Sequence, residues 1–269
     1  MGATGTGKSR LAIDLATTFG GEIINCDKIQ VYKGLDLIAN KVTEVECRGV
    51  PHHLLGIIED PNEDFTAVDF ISHTLLAAED IVKRSRLPII AGGSNSFIQA
   101  LVDNPDFKSK YECCFLWVDV SVPVLHSSVR KRVDQMVVAG LVGIRRAIGV
   151  PEMDGFFKME GSVEAEARAD LLKAAVEEIK VNTCKLTHRQ LEKIFTIGER
   201  LKWQGVHRLD ATEVYLRRSG DVAEDVWQRL MVGPGTRIVS EFLGGGEEDV
   251  KESKSSHFAS NVASAMDNN

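Results

Sequence analysis

The residues Gly2-Ala3-Thr4-Gly5-Thr6-Gly7-Lys8-Ser9 form the densest cluster of chemistry-bearing positions in the chain, with Gly2, Gly7, Lys8 and Ser9 at the spacing G-x-x-x-x-G-K-S. Glycines let consecutive backbone N–H groups point into one concavity, and a helix starting at Lys8 adds the positive end of its dipole. The Lys8 ammonium can bridge phosphate oxygens, and the Ser9 hydroxyl is placed to hold Mg²⁺. Phosphate binding is the chemistry this pattern serves. The reaction is left open, because such loops occur in GTPases, ATPases, kinases and some group transferases. GTPases read their base with Asn-Lys-x-Asp, which this chain lacks. A small-molecule kinase would need an arginine-bearing lid, and Arg130, Lys131 and Arg132, or Arg145 and Arg146, offer one.

The next candidate is Asp27. The run Glu22-Ile23-Ile24-Asn25-Cys26 reads as a buried strand, so Asp27 falls at its carboxyl end, where doubly wound sheets place their ligands. A carboxylate there can hold Mg²⁺ through water or accept a proton from a substrate nitrogen or hydroxyl. Capping a turn or pairing with Lys28 fits the pattern equally well.

Elements that would position these groups follow from periodicity. Leu11, Ala12, Leu15, Ala16 and Phe19 repeat at helical spacing and stop at Gly20-Gly21. A helical stripe over 65–83 leads into a strand at 87–91, closed by Gly92-Gly93, and 115–120 is a further strand. Alternation of strand and helix predicts a P-loop NTPase-like α/β fold, a doubly wound parallel sheet. Beyond Ser121 the chain turns helical over 124–139, 162–182 and 187–200. A short strand at 206–210 and a helix at 223–231 complete it. We expect one P-loop α/β domain over 1–243, with a smaller helical lobe at about 123–205 and a disordered tail over 244–269, where Gly, Ser, Glu and Asn dominate. The loop begins at Met1 without the usual preceding strand, so an upstream segment holding that strand, and room for a targeting peptide, is expected. Residues 142 and 143 join two helical patterns without turn chemistry, which suggests an omitted loop.

Composition narrows the function. The 269 residues are 43% hydrophobic and 26% charged, enough for one substantial core. No run of about 18 apolar residues exists to span a membrane. Five cysteines, none two residues apart from another, suit a reducing compartment rather than a disulfide framework or zinc site. With 32 Lys and Arg against 39 Asp and Glu, the net charge is −7, which argues against a long nucleic-acid partner. His52-His53 is read as structural, since adjacent side chains diverge and no third ligand is placed.

Five motifs stand in a recognisable order: the loop, then Cys26-Asp27-Lys28-Ile29-Gln30-Val31-Tyr32-Lys33-Gly34-Leu35-Asp36, Val50-Pro51-His52-His53-Leu54-Leu55, Leu87-Pro88-Ile89-Ile90-Ala91-Gly92-Gly93-Ser94, and Lys131-Arg132-Val133-Asp134-Gln135-Met136. In these the chain resembles the isopentenyl (dimethylallyl) transferases, which include bacterial tRNA dimethylallyltransferases and plant adenylate isopentenyltransferases that make cytokinins. The likeness extends to about Leu216. Lys28 and Ser94, and the run from Trp203 to Thr212, resemble the plant nucleotide branch. The tRNA enzymes carry a helical insertion after the Gly-Gly-Thr strand end, and here only residues 95–114 separate Ser94 from the next strand. Eukaryotic tRNA versions tend to add a C-terminal zinc finger, and no Cys/His cluster lies there.

The resemblance implies that Gly2, Ala3, Thr4, Gly5, Thr6, Gly7, Lys8 and Ser9 hold the diphosphate of dimethylallyl diphosphate with Mg²⁺, while AMP, ADP or ATP is the nucleophile. Asp27 would accept the proton from adenine N6, and pyrophosphate would leave against Lys8 and Arg132. An ion pair with Asp134 or Glu152 is the rival role for Arg132. Ser94 would hydrogen-bond the diphosphate, with turn chemistry as its rival role. Lys28, Lys185 and Arg189, with His188 nearby, would meet the acceptor nucleotide, a solvated face being the rival reading of Lys185, His188 and Arg189. Met136, Phe156, Phe157 and Trp203 are assigned to the core. A soluble monomer in the cytosol or plastid stroma, without tRNA as partner, is expected. A tRNA dimethylallyltransferase and a small-molecule kinase are the alternatives.

Overall fold

The computed structural model describes residues 1–34, 36, 39–138, 151–153, 156, 165–217 and 221–245. The expected loop at the 142/143 junction, Phe157 and nearly all of the expected tail lie outside the described residues.

Helix α1, Lys8–Phe19, buries Leu11, Ala12, Leu15, Ala16 and Phe19. It ends at Gly20, whose left-handed backbone (φ 62°) lets its N–H reach the Ala16 carbonyl. Strand β1, Glu22–Asn25, is buried along its length and lies between two parallel neighbours, β2, His52–His53, and β3, Pro88–Ala91. Strand β4, Phe115–Asp119, pairs in parallel with β5, Val206–Asp210. Met1 runs beside β4, its amino group donating to the Leu116 carbonyl (2.7 Å) and its carbonyl accepting from Val118 N–H (3.0 Å). All paired strands are parallel, as the strand–helix alternation predicts.

The helices follow their caps. Between β1 and β2 lies α2, Glu44–Cys47, opened by a capping box of Thr43 and Glu46. A second box, Thr66 with Asp69, opens α3, Ala67–Lys83. Two short helices, α4 (Asn95–Asp103) and α5 (Pro105–Lys110), fill the connection from β3 to β4. Helix α6, Val122–Val138, packs against α7, Ala165–Arg200. After β5 come α8 (Thr212–Leu216), α9 (Asp221–Trp227) and α10 (Gly233–Gly244).

Two helix boundaries differ from the sequence expectation. The separate helices expected over 162–182 and 187–200 are one continuous α7, because residues 183–186 contain no breaker and the Thr183 and Thr187 hydroxyls donate back to the carbonyls of Ile179 and Cys184. The last helix does not stop near Met231. A π-helical turn, Gln228–Val232, carries the chain into α10, and the first turn of that helix accepts Pro234 because no N–H is needed there.

One core cluster holds α1 against β4, β5 and the C-terminal helices through Leu11, Leu15, Val118, Leu209, Trp227 and Met231. A second joins β1 to α3 and α4 through Ile24, Phe70, Ile81, Phe97 and Leu101. The assigned core residues sit as expected, with Met136 and Phe156 packed on Val133, Met153 and Ile179, and Trp203 stacked on Trp117.

The end of β3 is tied to the end of β1 so closely that only glycine fits. A Cβ on Gly92 would lie 2.0 Å from the Cys26 carbonyl oxygen, a backbone atom that cannot rotate away. Gly92→Ala is therefore expected to cost about 1–3 kcal/mol of stability through overpacking. Denaturant unfolding monitored by tryptophan fluorescence measures this, and an unchanged midpoint would disprove the close tie.

Candidate active site

A cleft of about 730 Å³ opens over the carboxyl ends of β1 and β3 and is lined by the loop residues Thr4, Gly5, Gly7, Lys8 and Ser9. Asp27, Gln30 and His52 come from the β1 and β2 side, Lys131, Arg132 and Gln135 from α6, and Tyr215 from α8. Position at the strand ends follows from the parallel sheet, whose strand-to-helix turns emerge on this edge.

The loop's shape needs its glycines at two places. Gly7 precedes α1 in the left-handed region (φ 87°), with the Trp227 ring 3.0 Å from where a Cβ would stand. A Cβ on Gly2 would meet the Val118 carbonyl at 2.7 Å and the Thr6 hydroxyl at 2.8 Å. Internal bonds close the turn, with the Thr6 hydroxyl and the Lys8 ammonium both donating to the Ala3 carbonyl (3.0 and 3.1 Å). Three helices grip the loop from outside. Arg132 of α6 donates to the Thr4 hydroxyl (2.9 Å), Gln190 of α7 accepts from Thr4 N–H (2.7 Å), and the Tyr215 hydroxyl donates to the Gly5 carbonyl (2.6 Å).

Charge in the cleft is unbalanced. Burial pulls the Lys8 ammonium down to about 8, with Asp27 opposing and Arg132 reinforcing the shift. Burial also lowers Arg132, against the pull of Tyr215 and Asp27. The Nε of Arg132 is sealed from solvent without a hydrogen-bond partner. Neither Asp134 nor Glu152 neutralises it, since Asp134 pairs with Lys180 and Glu152 accepts from Asn182. Two cations facing one carboxylate make a hollow that suits an anion.

Asp27 is set by its turn. Its Oδ1 accepts from Ile29 N–H (3.0 Å), and Asn25 donates through one amide group to the carbonyls of Asp27 (3.2 Å) and Leu54 (3.0 Å). Ser94 serves that same turn. Its hydroxyl accepts from Lys28 N–H (3.0 Å), which supports the Asp27 loop, and Ser94 is not among the residues that line the cleft. The expected acceptor contacts Lys28, Lys185 and Arg189 have exposed side chains and do not line the cleft. Arg10, Arg48 and Lys131 are the cations that, with Lys8 and Arg132, do. Ser9 reaches the cleft with no hydrogen bond from its hydroxyl to a described residue, which fits a magnesium ligand, whereas no group of three or more His, Cys, Asp or Glu among the described residues could hold a metal. His53 pairs with the buried Glu22, which Arg84 also holds, in keeping with a structural role.

Several contributors escape sequence reasoning. Tyr215 and Gln190 lie more than 180 residues from the loop they hold. Asp14, 7% exposed on α1, binds Arg48 and the Trp227 indole N–H (2.8 Å), and Arg10 covers the Trp227 ring at 4.4 Å. The signal for Asp14 is a carboxylate inside an apolar helical stripe, and for Gln190 a polar stripe of Thr183, Thr187 and Gln190 at helical spacing.

A phosphate loop ahead of a parallel sheet, with the Asp27 carboxylate acting on its lysine, places the chain among P-loop enzymes of phosphorylated substrates. Residues 30–110 match the family model described as IPP transferase. Adenylate isopentenyltransferase 5, chloroplastic, from Arabidopsis thaliana is 56% identical over 261 residues, covering 90% of this chain and 78% of that protein. Adenylate isopentenyltransferase from Humulus lupulus is 42% identical over 296 residues, covering 90% and 89%. At this likeness the chain belongs to the adenylate isopentenyltransferase family. Its fold is also that of a solved eukaryotic dimethylallyltransferase acting on tRNA (TM-score 0.74, 22% identity, 91% of this chain and 78% of that one). A tRNA isopentenylpyrophosphate transferase from Staphylococcus epidermidis matches at TM-score 0.67, with 23% identity over 90% and 97% of the two chains.

The depressed Lys8 has a measurable consequence. A bound diphosphate favours the ammonium, so above about pH 8 binding must return a proton to Lys8. Calorimetry with dimethylallyl diphosphate at pH 8.5, in buffers of different ionisation enthalpy, should show proton uptake that Lys8→Arg abolishes. Uptake identical in both proteins would contradict this placement.

Proposed function

We propose that the enzyme moves a dimethylallyl group from dimethylallyl diphosphate to the adenine N6 of AMP, ADP or ATP, a step of cytokinin biosynthesis, with the phosphate loop holding the leaving group. The observation that carries this reading is the charge pattern beside the phosphate loop, where Asp27 is the carboxylate that acts on both Lys8 and Arg132, while Asp14 and Glu224, which also line the cleft, are paired with Arg48 and Arg10. Cations suit the diphosphate, and the carboxylate suits the proton of the nucleophile. A kinase would need the reverse arrangement, a nucleotide phosphate in the loop and an acceptor hydroxyl beside Asp27, and family membership argues against it.

In the reaction the N6 lone pair forms the new bond to C1 of the prenyl group as the C1–O bond breaks. Its electron pair leaves with pyrophosphate, held by Lys8, Arg132 and the loop amides. Asp27 accepts the N6 proton. Mg²⁺, held by the diphosphate and the Ser9 hydroxyl, would supply further neutralisation of the leaving group. Preorganised charge and positioning are the main sources of rate in such a site. Lys131 reaches the cleft as a candidate for the acceptor's own phosphates, as do Arg10 and Arg48, which would have to share their charge with Glu224 and Asp14.

A free nucleotide is favoured over tRNA by two further features. The β3–β4 connection holds only α4 and α5, leaving no inserted domain there to grip an RNA arm. The net charge of −7 also opposes a polyanion. Relatives carry "chloroplastic" or "mitochondrial" in their names, and we place this enzyme in an organelle, the plastid, where a cytosolic location had been the other expectation. Among the described residues no helix is long and apolar enough to cross a membrane. One P-loop domain with a helical lobe, acting as a monomer, completes the reading.

Incubation with dimethylallyl diphosphate, Mg²⁺ and each adenine nucleotide should yield an N6-prenylated nucleotide, read by mass. Prenylated tRNA with no nucleotide product would reverse the assignment. Asp27→Asn should lower kcat by about 10²–10⁴-fold, the range for loss of a general base, while donor binding persists.

A further inference from the structure

The middle of α7 carries a side chain that touches both halves of the site without lining the cleft. Gln190 is 8% exposed and uses every polar group it presents. Its Oε1 accepts from Thr4 N–H in the phosphate loop at 2.7 Å. Its Nε2 donates to the Gly93 carbonyl at 3.0 Å, just past the end of β3. Its backbone carbonyl accepts from the buried Asn95 amide at 3.0 Å. Gly93 is where Gln190 and the proposed base converge: a Cβ there would stand 2.6 Å from Gln190 Nε2 and 3.7 Å from Asp27 Oδ2.

This amide sits where α7 would otherwise be apolar. The buried face runs Ile179, Thr183, Thr187, Gln190, Ile194, Ile197, polar only where the helix passes behind the site. A buried amide that loses its partners costs more than its hydrogen bonds contribute, so the position is specified by its two contacts rather than by packing alone. Thr4 N–H is also turned away from the cleft, since it is already donated to Gln190. The side chain thus does not bind the donor through that group. It fixes where the loop stands.

We infer that Gln190 is a positioning residue for the prenyl transfer, a strut that sets the spacing between the diphosphate loop and the Asp27 turn. The inference rests on the reading of Asp27 as base and the loop as donor site. With the strut in place, N6 and C1 are held at reacting distance and their separate binding contacts are unaffected. Removing it therefore lowers kcat and leaves affinity nearly intact.

Two variants and their combination test this. Gln190→Met keeps the length of the side chain and loses both hydrogen bonds. Gly93→Ala keeps Gln190 and pushes its amide off the Gly93 carbonyl. Displacement of reacting groups by about 1 Å can cost on the order of 10²-fold in rate. Gln190→Met is therefore expected to lower kcat by roughly 10- to 100-fold, with KM for donor and nucleotide changed less than about threefold. Gly93→Ala should act in the same direction, and the double variant should be no slower than Gln190→Met alone, since both remove one strut. Melting temperatures are read alongside. A kcat within twofold of wild type, a loss carried by KM, or additive effects in the double variant would each overturn the inference. Asp27→Asn separates the two layers. If Asp27→Asn abolishes transfer while Gln190→Met leaves kcat within twofold of wild type, only the strut fails; if Asp27→Asn remains active, the proposed function's base assignment fails instead.

Discussion

Everything around the cleft is arranged to hold two cations where water is scarce. Lys8 and Arg132 are drawn into one hollow with the Asp27 carboxylate acting on both, and burial depresses both. Recessed like charges raise the free energy of the empty site, and an anionic ligand relieves it. The neighbouring features keep that hollow from collapsing. Trp227 and Tyr215 stand beside Gly7 in the loop, Val118 and Thr6 leave no room for a side chain on Gly2, and Thr4 is gripped through both its N–H and its hydroxyl. Preorganisation of this sort has its energetic cost met by folding, so little rearrangement is left for the reaction.

The same arrangement explains why a phosphate loop can serve prenyl transfer. Nothing in the loop itself selects phosphoryl chemistry; it stabilises diphosphate charge wherever a diphosphate is ground state or leaving group. What assigns the direction is family membership, and the carboxylate across the cleft, on a turn stiffened by Asn25 and Ser94, is placed to serve a nucleophile. The fold shared with the tRNA-acting enzymes is then a common platform. On the proposed reading, a difference in acceptor would lie in peripheral segments such as the short α4–α5 connection.

Legibility in the sequence tracks the range of the interaction. The loop, α1 and β1 are set by local pattern, and so Gly2 through Ser9 and Asp27 are visible in the residues alone. Arg132 is visible as a cation on a helix, but its contact to Thr4 crosses 128 residues and competes with ion-pair partners nearer in sequence. Ser94 is ambiguous for the same reason: a serine after two glycines at a strand end suits a phosphate or a turn, and only the register of β1 with β3 brings its hydroxyl to Lys28 N–H. Lys185 and Arg189 illustrate the limit of charge reading, since helical phase puts them opposite the buried face that carries Thr187 and Gln190. Asp14, Arg48 and Trp227 meet from three distant segments, and no local signal links them. In α7 the sequence shows weak helix formers at 183 and 187, and tertiary packing overrides them.

Helix α7 has a mechanical meaning as well. Its 36 residues make a beam roughly 54 Å long at 1.5 Å per residue. One end is packed on α6 through Ala175 and Ile179, and the other lies against α4, with Ile197 in the core that α4 shares with β1 and α3. Gln190 stands between the two ends. The phosphate loop and the Gly93 turn therefore take their places from one side chain on one beam, and this helix has no way of shifting either of them alone.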